Sequence, residues 1–256
     1  MVTTSLTNER VKYARSLQRE RVRTREERFL IEGIRLVEEA LRAGARPALA
    51  FYSERLLATP RGRALFERLQ ASAEELVQAT PQVMASLSQT VTPQGVLAVV
   101  PMPRLEWPRG GLVAVLDGLR DPGNVGTIMR TAWAAGAAAV AATRGTADPY
   151  APKVVRAAMG AHFHLPLRTH LDVASLKALL VGRRVLLADP AGQPYWETDW
   201  RGPLALVIGG EARGAGLALP LVHARVAVPM AGGVESLNAA VAAAVLVFEA
   251  ARQRAT

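Results

Sequence analysis

Three loops in the second half of the chain concentrate the residues whose types could do chemistry. The first is DGLRDPGNVGTIMR, Asp117–Arg130. Asp121-Pro122-Gly123 is turn chemistry, because Pro fixes φ and Gly permits positive φ. Asn124 is well placed to cap the helix that follows. Arg130 lies off that helix's apolar stripe, at a ligand edge or in solvent. The second loop is IGGEARGAGL, Ile208–Leu217. Its four Gly within eight positions let the backbone approach a ligand closely. Glu211 between them is a helix-start carboxylate or a site residue. The third is VPMAGGVESLNAA, Val228–Ala240. Pro229 ends a strand, Gly232-Gly233 turns, and Ser236 can cap the closing helix. Asn238 opens an Ala-rich helical run, where Asn is a poor helix former and needs a polar partner or a ligand.

These types exclude several chemistries. No Gly-Lys-Ser/Thr follows the glycines, so the loop is not a phosphate-binding P-loop. The glycines come late in the chain, not after a first strand, which argues against a dinucleotide-dependent oxidoreductase. Nothing suggests a Ser-His-Asp triad. His162 and His164 would share one face of a strand, a metal-compatible spacing, yet no third ligand is in view and no metal is expected. His170 and His223 read as surface or packing residues. Zero Cys excludes disulfides, Cys-ligated zinc, iron–sulfur clusters and thiol catalysis.

The loops need elements to position them. Leu112–Leu116 is an apolar run of buried-strand type, followed by a helix with Val125, Ile128, Met129, Ala132 and Trp133 on one stripe. Strands are expected at Ala137–Ala142, Arg184–Ala188, Leu204–Ile208 and Arg225–Val228. Helices are expected at Pro152–Met159, Leu171–Leu180 and Ser236–Arg252. Alternating strands and helices imply a parallel α/β sheet, whose ligands collect at the strands' carboxyl ends. The first part is also mixed. Helices are expected over Ser5–Gln18, Gly33–Ala43, Gly62–Ala71 and Thr80–Leu87, with strands at Phe29–Ile31, Pro47–Tyr52 and Gly95–Val100. Three Pro and two Gly within PMPRLEWPRGG, 101–111, mark a linker. The expected division is 1–100, linker 101–111, and 112–256.

The 256 residues carry 31 Lys+Arg against 22 Asp+Glu, a net charge of +9 that points to a polyanion, nucleic acid before an anionic membrane surface. Between Arg10 and Arg28 eight basic groups, among them Arg10, Lys12 and Arg15, face three acidic ones. Such a cluster suits phosphate contacts, or a solvated face with Arg–Glu pairs. The longest apolar run, Ala239–Phe248, has ten residues, where a membrane span needs about 20. No apolar leader is visible, so the expected location is the cytosol.

Taken together and in this order, the three loops resemble the SpoU (TrmH) family of RNA ribose 2′-O-methyltransferases, of the SPOUT class. The first motif stands as Asn124-Val125-Gly126-Thr127-Ile128-Met129-Arg130. The second is the strand Leu206-Val207-Ile208 with Gly209-Gly210-Glu211-Ala212-Arg213-Gly214. The third is Val228-Pro229-Met230 through Ser236-Leu237-Asn238. Val155-Arg156-Ala157-Ala158-Met159-Gly160-Ala161 looks like the family's intermediate segment, and Arg156 in it is an RNA-contact candidate. More loosely, Thr7–Lys12 and Phe29–Gly33 are similar to the family's small N-terminal domain of the ribosomal-RNA branch, itself similar to an RNA-binding ribosomal protein.

The resemblance implies a C-terminal parallel sheet with a trefoil knot, a homodimer with its active site at the subunit interface, and S-adenosyl-L-methionine held mostly by backbone groups at Gly209, Val228 and Leu237. It implies Asn124, Arg130, Glu211, Ser236 and Asn238 as catalytic residues. Arg130 matches a residue sometimes proposed as base, but a guanidinium suits a phosphate clamp or a stabiliser of developing alkoxide better. Asn124 would orient Arg130 or the ribose, while Glu211, Ser236 and Asn238 would shape the pocket. Glu235 departs into a charge where the motif varies. The expected activity is 2′-O-methylation of structured RNA, 23S ribosomal RNA first. The alternatives are a transfer-RNA methyltransferase or a non-catalytic RNA-binding protein with a degenerate knot.

Overall fold

The computed structural model describes residues 2–90, 92–210, 216–234 and 236–255. The chain runs α1 (Glu9–Ser16), α2 (Glu20–Glu26), β1 (Arg28–Glu32), α3 (Ile34–Arg42), β2 (Leu49–Tyr52), α4 (Glu54–Leu57), α5 (Pro60–Ser72), β3 (Leu76–Gln78), α6 (Pro81–Leu87) and β4 (Val96–Pro101). It continues through β5 (Leu112–Asp117), α7 (Pro122–Ala134), β6 (Ala139–Thr143), α8 (Pro152–Ala158), β7 (Leu167–Leu171), α9 (Val173–Leu179), β8 (Arg184–Pro194), β9 (Leu204–Gly209), β10 (Ala224–Ala227) and α10 (Ala239–Arg254). Two compact units result. One comprises Met1–Pro103 with Tyr150–Phe163, the other Arg104–Pro149 with His164–Thr256.

The first unit is a four-stranded sheet, β1-β4-β2-β3, antiparallel except for the β2–β3 pair. Its core gathers Val11, Leu30, Phe51, Leu97 and Val99. The N-terminal helix is shorter than Ser5–Gln18. Asn8 caps it by accepting from Arg10 N at 2.9 Å, and the chain breaks before a second helix, α2. The segment Tyr150–Phe163 belongs to this unit although its neighbours in sequence belong to the other. Helix α8 packs on β1. Tyr150 meets Phe29 edge-on with ring centroids 5.0 Å apart, and Phe163 stacks on Phe29 at 5.8 Å.

The second unit is a six-stranded sheet in the order β10-β8-β9-β5-β6-β7, parallel at every pair. β5 and β6 are buried at every residue, as central parallel strands covered on both faces must be. Val113, Val115, Leu187, Ala205 and Val207 pack one face with Leu176 of α9. Helices α7 and α10 pack on each other.

Residues 104–111 are held to this unit. Arg183 is 5% exposed and donates to the carbonyls of Pro108, Gly110 and Gly111 at 2.6, 3.0 and 2.6 Å. Trp107 Nε1 donates to Leu179 O at 3.1 Å, and Arg168 donates to Leu105 O while lying over the Trp107 ring. A Pro- and Gly-rich composition therefore marks irregular backbone here, not free backbone.

Candidate active site

The order in which strands are added changes side between β5 and β9. From β5 the chain builds outward through β6 and β7, then crosses to place β8, β9 and β10 on the other side. A crevice outside the strand ends is expected at such a switch point. Asp117, at the end of β5, is registered opposite Gly209, at the end of β9. On the β8 side of Gly209 a cavity of about 260 Å³ opens beside β8, β9 and β10, lined by Asp189, Gly209, Gly210, Val228, Ser236 and Leu237, with Ala242 and Leu246 of α10 behind. The three positions expected to hold a cofactor, Gly209, Val228 and Leu237, thus line one cavity. Gly210 runs so close to the end of β5 that a Cβ there would stand 3.0 Å from Gly118 O.

Asn124 and Asn238 are brought together. Asn238 Nδ2 donates to Asn124 Oδ1 at 3.0 Å, joining the first loop to the third. Their local roles differ from the expected ones. Asp121, not Asn124, caps α7, accepting from Asn124 N at 2.7 Å. Pro122 stands at the helix's first turn, so the cap must precede it. Asn238, not Ser236, caps α10, accepting from Ala240 N and Val241 N at 2.9 and 3.3 Å. Cap duty and the link to Asn124 answer the need that an Asn before an Ala-rich helix raises. Ser236 is exposed and lines the cavity instead.

Arg130 is exposed, six residues along α7 from Asn124 and so about 9 Å further up the axis. It pairs with no described residue. Glu211 and Glu235 lie outside the described residues. The RNA-contact candidates all fall in the first unit, Arg156 included, because α8 belongs there. Arg10 pairs with Glu75, Lys12 with Glu9 at 2.8 Å, and Arg15 donates to Ser86 Oγ at 2.9 Å. Arg156 is exposed.

The histidines do not share a strand. Ala161–Phe163 is a 3-10 turn that buries His162 beside Phe29 and Tyr150. His164 stacks on Trp133, with centroids 4.4 Å apart. His223 Nδ1 accepts from Val185 N at 2.9 Å within the sheet.

Asp189 lines the cavity although no sequence motif marks it. It is the one ionisable side chain among the described residues lining the cavity, and it sits 3.3 Å from Arg225. A signal exists in LLADPAG, where the apolar run of β8 gives way to Asp-Pro although the strand itself continues to Pro194.

Known proteins are similar to this chain in sequence and fold. Residues 111–248 match the SpoU rRNA Methylase family, and residues 8–98 match the MRM3-like substrate binding domain. The 23S rRNA (guanosine(2553)-2'-O)-methyltransferase RlmP of Bacillus subtilis is 35% identical over 254 residues, covering 95% of this chain and 96% of the relative. Among solved structures, the AdoMet-bound rRNA methyltransferase from Sinorhizobium meliloti superposes with a TM-score of 0.85 at 30% identity, over 98% of this chain and 97% of its own. The SpoU methyltransferase AviRb from Streptomyces viridochromogenes, in complex with AdoMet, gives 0.87 at 29% identity, over 97% and 99%.

Proposed function

This chain belongs to the SpoU rRNA methylase family, and we infer from that premise that it methylates a ribose 2′-hydroxyl of 23S ribosomal RNA, using S-adenosylmethionine. The observation that carries this reading is the cavity beside β8, β9 and β10, which gathers Gly209, Val228 and Leu237, while Asn238, between the lining residues Leu237 and Ala239, bonds Asn124.

The cavity fits the cofactor. Gly209 and Gly210 present bare backbone, and Val226, Val228 and Leu246 give an apolar lining for a heterocycle. Asp189 and Ser236 add a carboxylate and a hydroxyl for polar groups. S-adenosylmethionine supplies a methyl group already activated by its sulfonium, so positioning the nucleophile provides much of the rate. Asn238 holds the Asn124 amide, which orients the ribose or Arg130. Arg130 clamps a phosphate and stabilises negative charge developing on the 2′-oxygen. Ser236 and Glu211 shape the pocket around the ribose.

Substrate RNA is held by the first unit, through Arg10, Lys12, Arg15 and Arg156. The match of residues 8–98 to a substrate-binding domain favours ribosomal over transfer RNA. We read the chain as a homodimer formed through its C-terminal unit. Val241 and Phe248, one i,i+7 step apart on α10, are each 51% exposed, and Val234 and Leu237 just before the helix are 57 and 37% exposed, apolar surface suited to a second copy. A charged substitution, V241E or F248E, is expected to shift the protein to monomer in sedimentation velocity and to abolish methylation. The knotted path of the family is part of the same reading, with the cytoplasm as the place where this RNA is met. No helix among the described residues is long and apolar enough to cross a membrane.

The test incubates the protein and radiolabelled S-adenosylmethionine with ribosomal and transfer RNA fractions, then digests to nucleosides. Label in one 2′-O-methylnucleoside from the 23S fraction is the expected result. Label confined to transfer RNA, or in bases instead of ribose, would overturn the assignment.

A further inference from the structure

Asp117 lies at the carboxyl end of β5 and is 1% exposed, yet its buried carboxylate is fully satisfied: four donors converge on its two oxygens. Oδ2 accepts from the backbone N–H of Gly216 at 2.7 Å and of Ala218 at 2.9 Å. Oδ1 accepts from Leu217 N at 3.3 Å and from Thr143 Oγ1 at 2.7 Å. Thr143, at the end of β6, is itself 2% exposed, and its hydroxyl also accepts from Gly118 N at 3.2 Å. One side chain thus captures three consecutive amides far downstream in the chain.

Those amides close the glycine-rich loop. The loop leaves the sheet at Gly209, registered opposite Asp117, and passes Gly118 at Gly210, where a Cβ would meet Gly118 O at 3.0 Å. It returns at 216–218 on the Asp117 carboxylate. Both ends of the loop therefore lie against the same two residues, Asp117 and Gly118, the returning end bonded to the Asp117 carboxylate. The departing end, Gly209–Gly210, forms a wall of the cavity. The chain after Gly118 leads directly into α7, which carries Asn124 and Arg130.

We propose that Asp117 is a positioning residue whose buried carboxylate clamps residues 216–218 and so fixes the Gly209–Gly210 wall that receives the cofactor. The proposal rests on the cofactor reading above. Bonds to a charged oxygen are roughly twice as strong as neutral ones, and a buried N–H left unmet is costly. An Asn side chain offers one acceptor oxygen, and its NH2 would oppose either Leu217 N–H or the pair at Gly216 and Ala218. The carboxylate is therefore not replaceable by its isostere.

The test compares wild type with D117N, T143V and T143S. Three quantities are read: hydrogen exchange of the 216–218 amides without ligand, S-adenosylmethionine affinity by calorimetry, and KM for each substrate with kcat. D117N is expected to speed exchange at 216–218 and to raise the cofactor Kd and KM about tenfold, with KM for RNA within about twofold of wild type. T143V, which removes one of the four donors, is expected to move the same quantities by about threefold, and T143S to restore them. If D117N does not fold, the T143V and T143S pair decides alone. A D117N protein with faster exchange but wild-type cofactor affinity would overturn the proposal, as would unchanged exchange. A fall in thermal stability alone, with cofactor affinity unmoved, would also overturn it. Failure of the wild type to bind S-adenosylmethionine would instead sink the cofactor reading and the affinity part of the proposal, while the exchange comparison would still report whether the clamp exists.

Discussion

The two units hold their polar residues in opposite ways. In the second, the polar groups at the end of β5 and at the starts of α7 and α10 are tied mainly to backbone, with one side-chain link among them. Asp117 takes three amides, Asp121 and Asn238 cap helices, and Asn124 is fixed by Asn238. In the first, the RNA-contact candidates are tied to other side chains at the surface. Arg10 meets Glu75, and Lys12 meets a Glu9 that is 87% exposed. A backbone bond is a permanent fixture of the fold, whereas a surface ion pair is exchanged for a phosphate at little cost. Chemistry that depends on tenths of an ångström belongs with the first kind of tether, and RNA capture with the second.

The sharpest break of this comparison is kinetic. R130A should lower kcat by about 10²–10³, the range for losing one donor to developing negative charge, with S-adenosylmethionine affinity unchanged. Single-turnover methylation with saturating RNA measures it. A change confined to KM for RNA would move Arg130 into the class of the surface cations.

Next in size is N238A. It removes the α10 cap and the support of Asn124 together, so kcat should fall about tenfold while stability falls by about 1 kcal/mol. N124A, which spares the cap, should reproduce the kinetic loss without the stability loss. Denaturation curves alongside rates separate the two.

The opposite signature is expected in the first unit. The R10A/K12A/R15A triple variant should weaken RNA binding about tenfold at physiological salt and leave kcat unchanged at saturating RNA. The slope of log affinity against log salt should flatten by about 1 for each phosphate that is no longer neutralised. A salt slope equal to wild type would mean these three groups do not touch RNA.

What can be read from the sequence follows the same division. Local chemistry is legible. The apolar runs at Leu112–Leu116 and Leu204–Ile208 are central parallel strands, and Gly209, Val228 and Leu237, expected around a ligand, line one cavity. Contacts between distant segments are not legible. No local pattern says that Tyr150–Phe163 joins the first unit, because that depends on Phe29 more than a hundred residues earlier. The Asp117 clamp is hidden for the same reason. Leu167–Leu171 carries no strand signal because an edge strand, reading LRTHL, needs no apolar run. The helix caps, by contrast, do have a local signal. Pro122 and the Ala run from 239 each place the helix start, and the residue just before each is the cap.

The smallest expected effect isolates the two tethers at one spacing. Glu9–Lys12 and Glu249–Arg252 are both i,i+3 pairs, but Glu9 is 87% exposed and Glu249 only 9%. Arg252 grips Glu249 with two bonds of 2.8 Å, and Gln253 adds a third at 2.7 Å while also donating to Thr198 O. The Arg252 hydrogen bonds first, then Gln253, pull the Glu249 carboxyl down to about 2 from an ordinary 4.5. A lowered folded-state value means the stabilisation is complete above the unfolded value and is lost as acid protonates the group. The window runs from about 4.5 down to about 2. E249Q should therefore lower Tm at neutral pH by about 2–4 °C, the shift for roughly 1 kcal/mol in a domain of this size. The gap to wild type should close as the pH approaches 2. E9Q, at the same helical spacing, should leave neutral-pH Tm within about 1 °C, since an exposed pair contributes little. Equal shifts from the two variants would show that spacing, and not the backbone-anchored surroundings of Glu249, decides what an ion pair is worth in this fold.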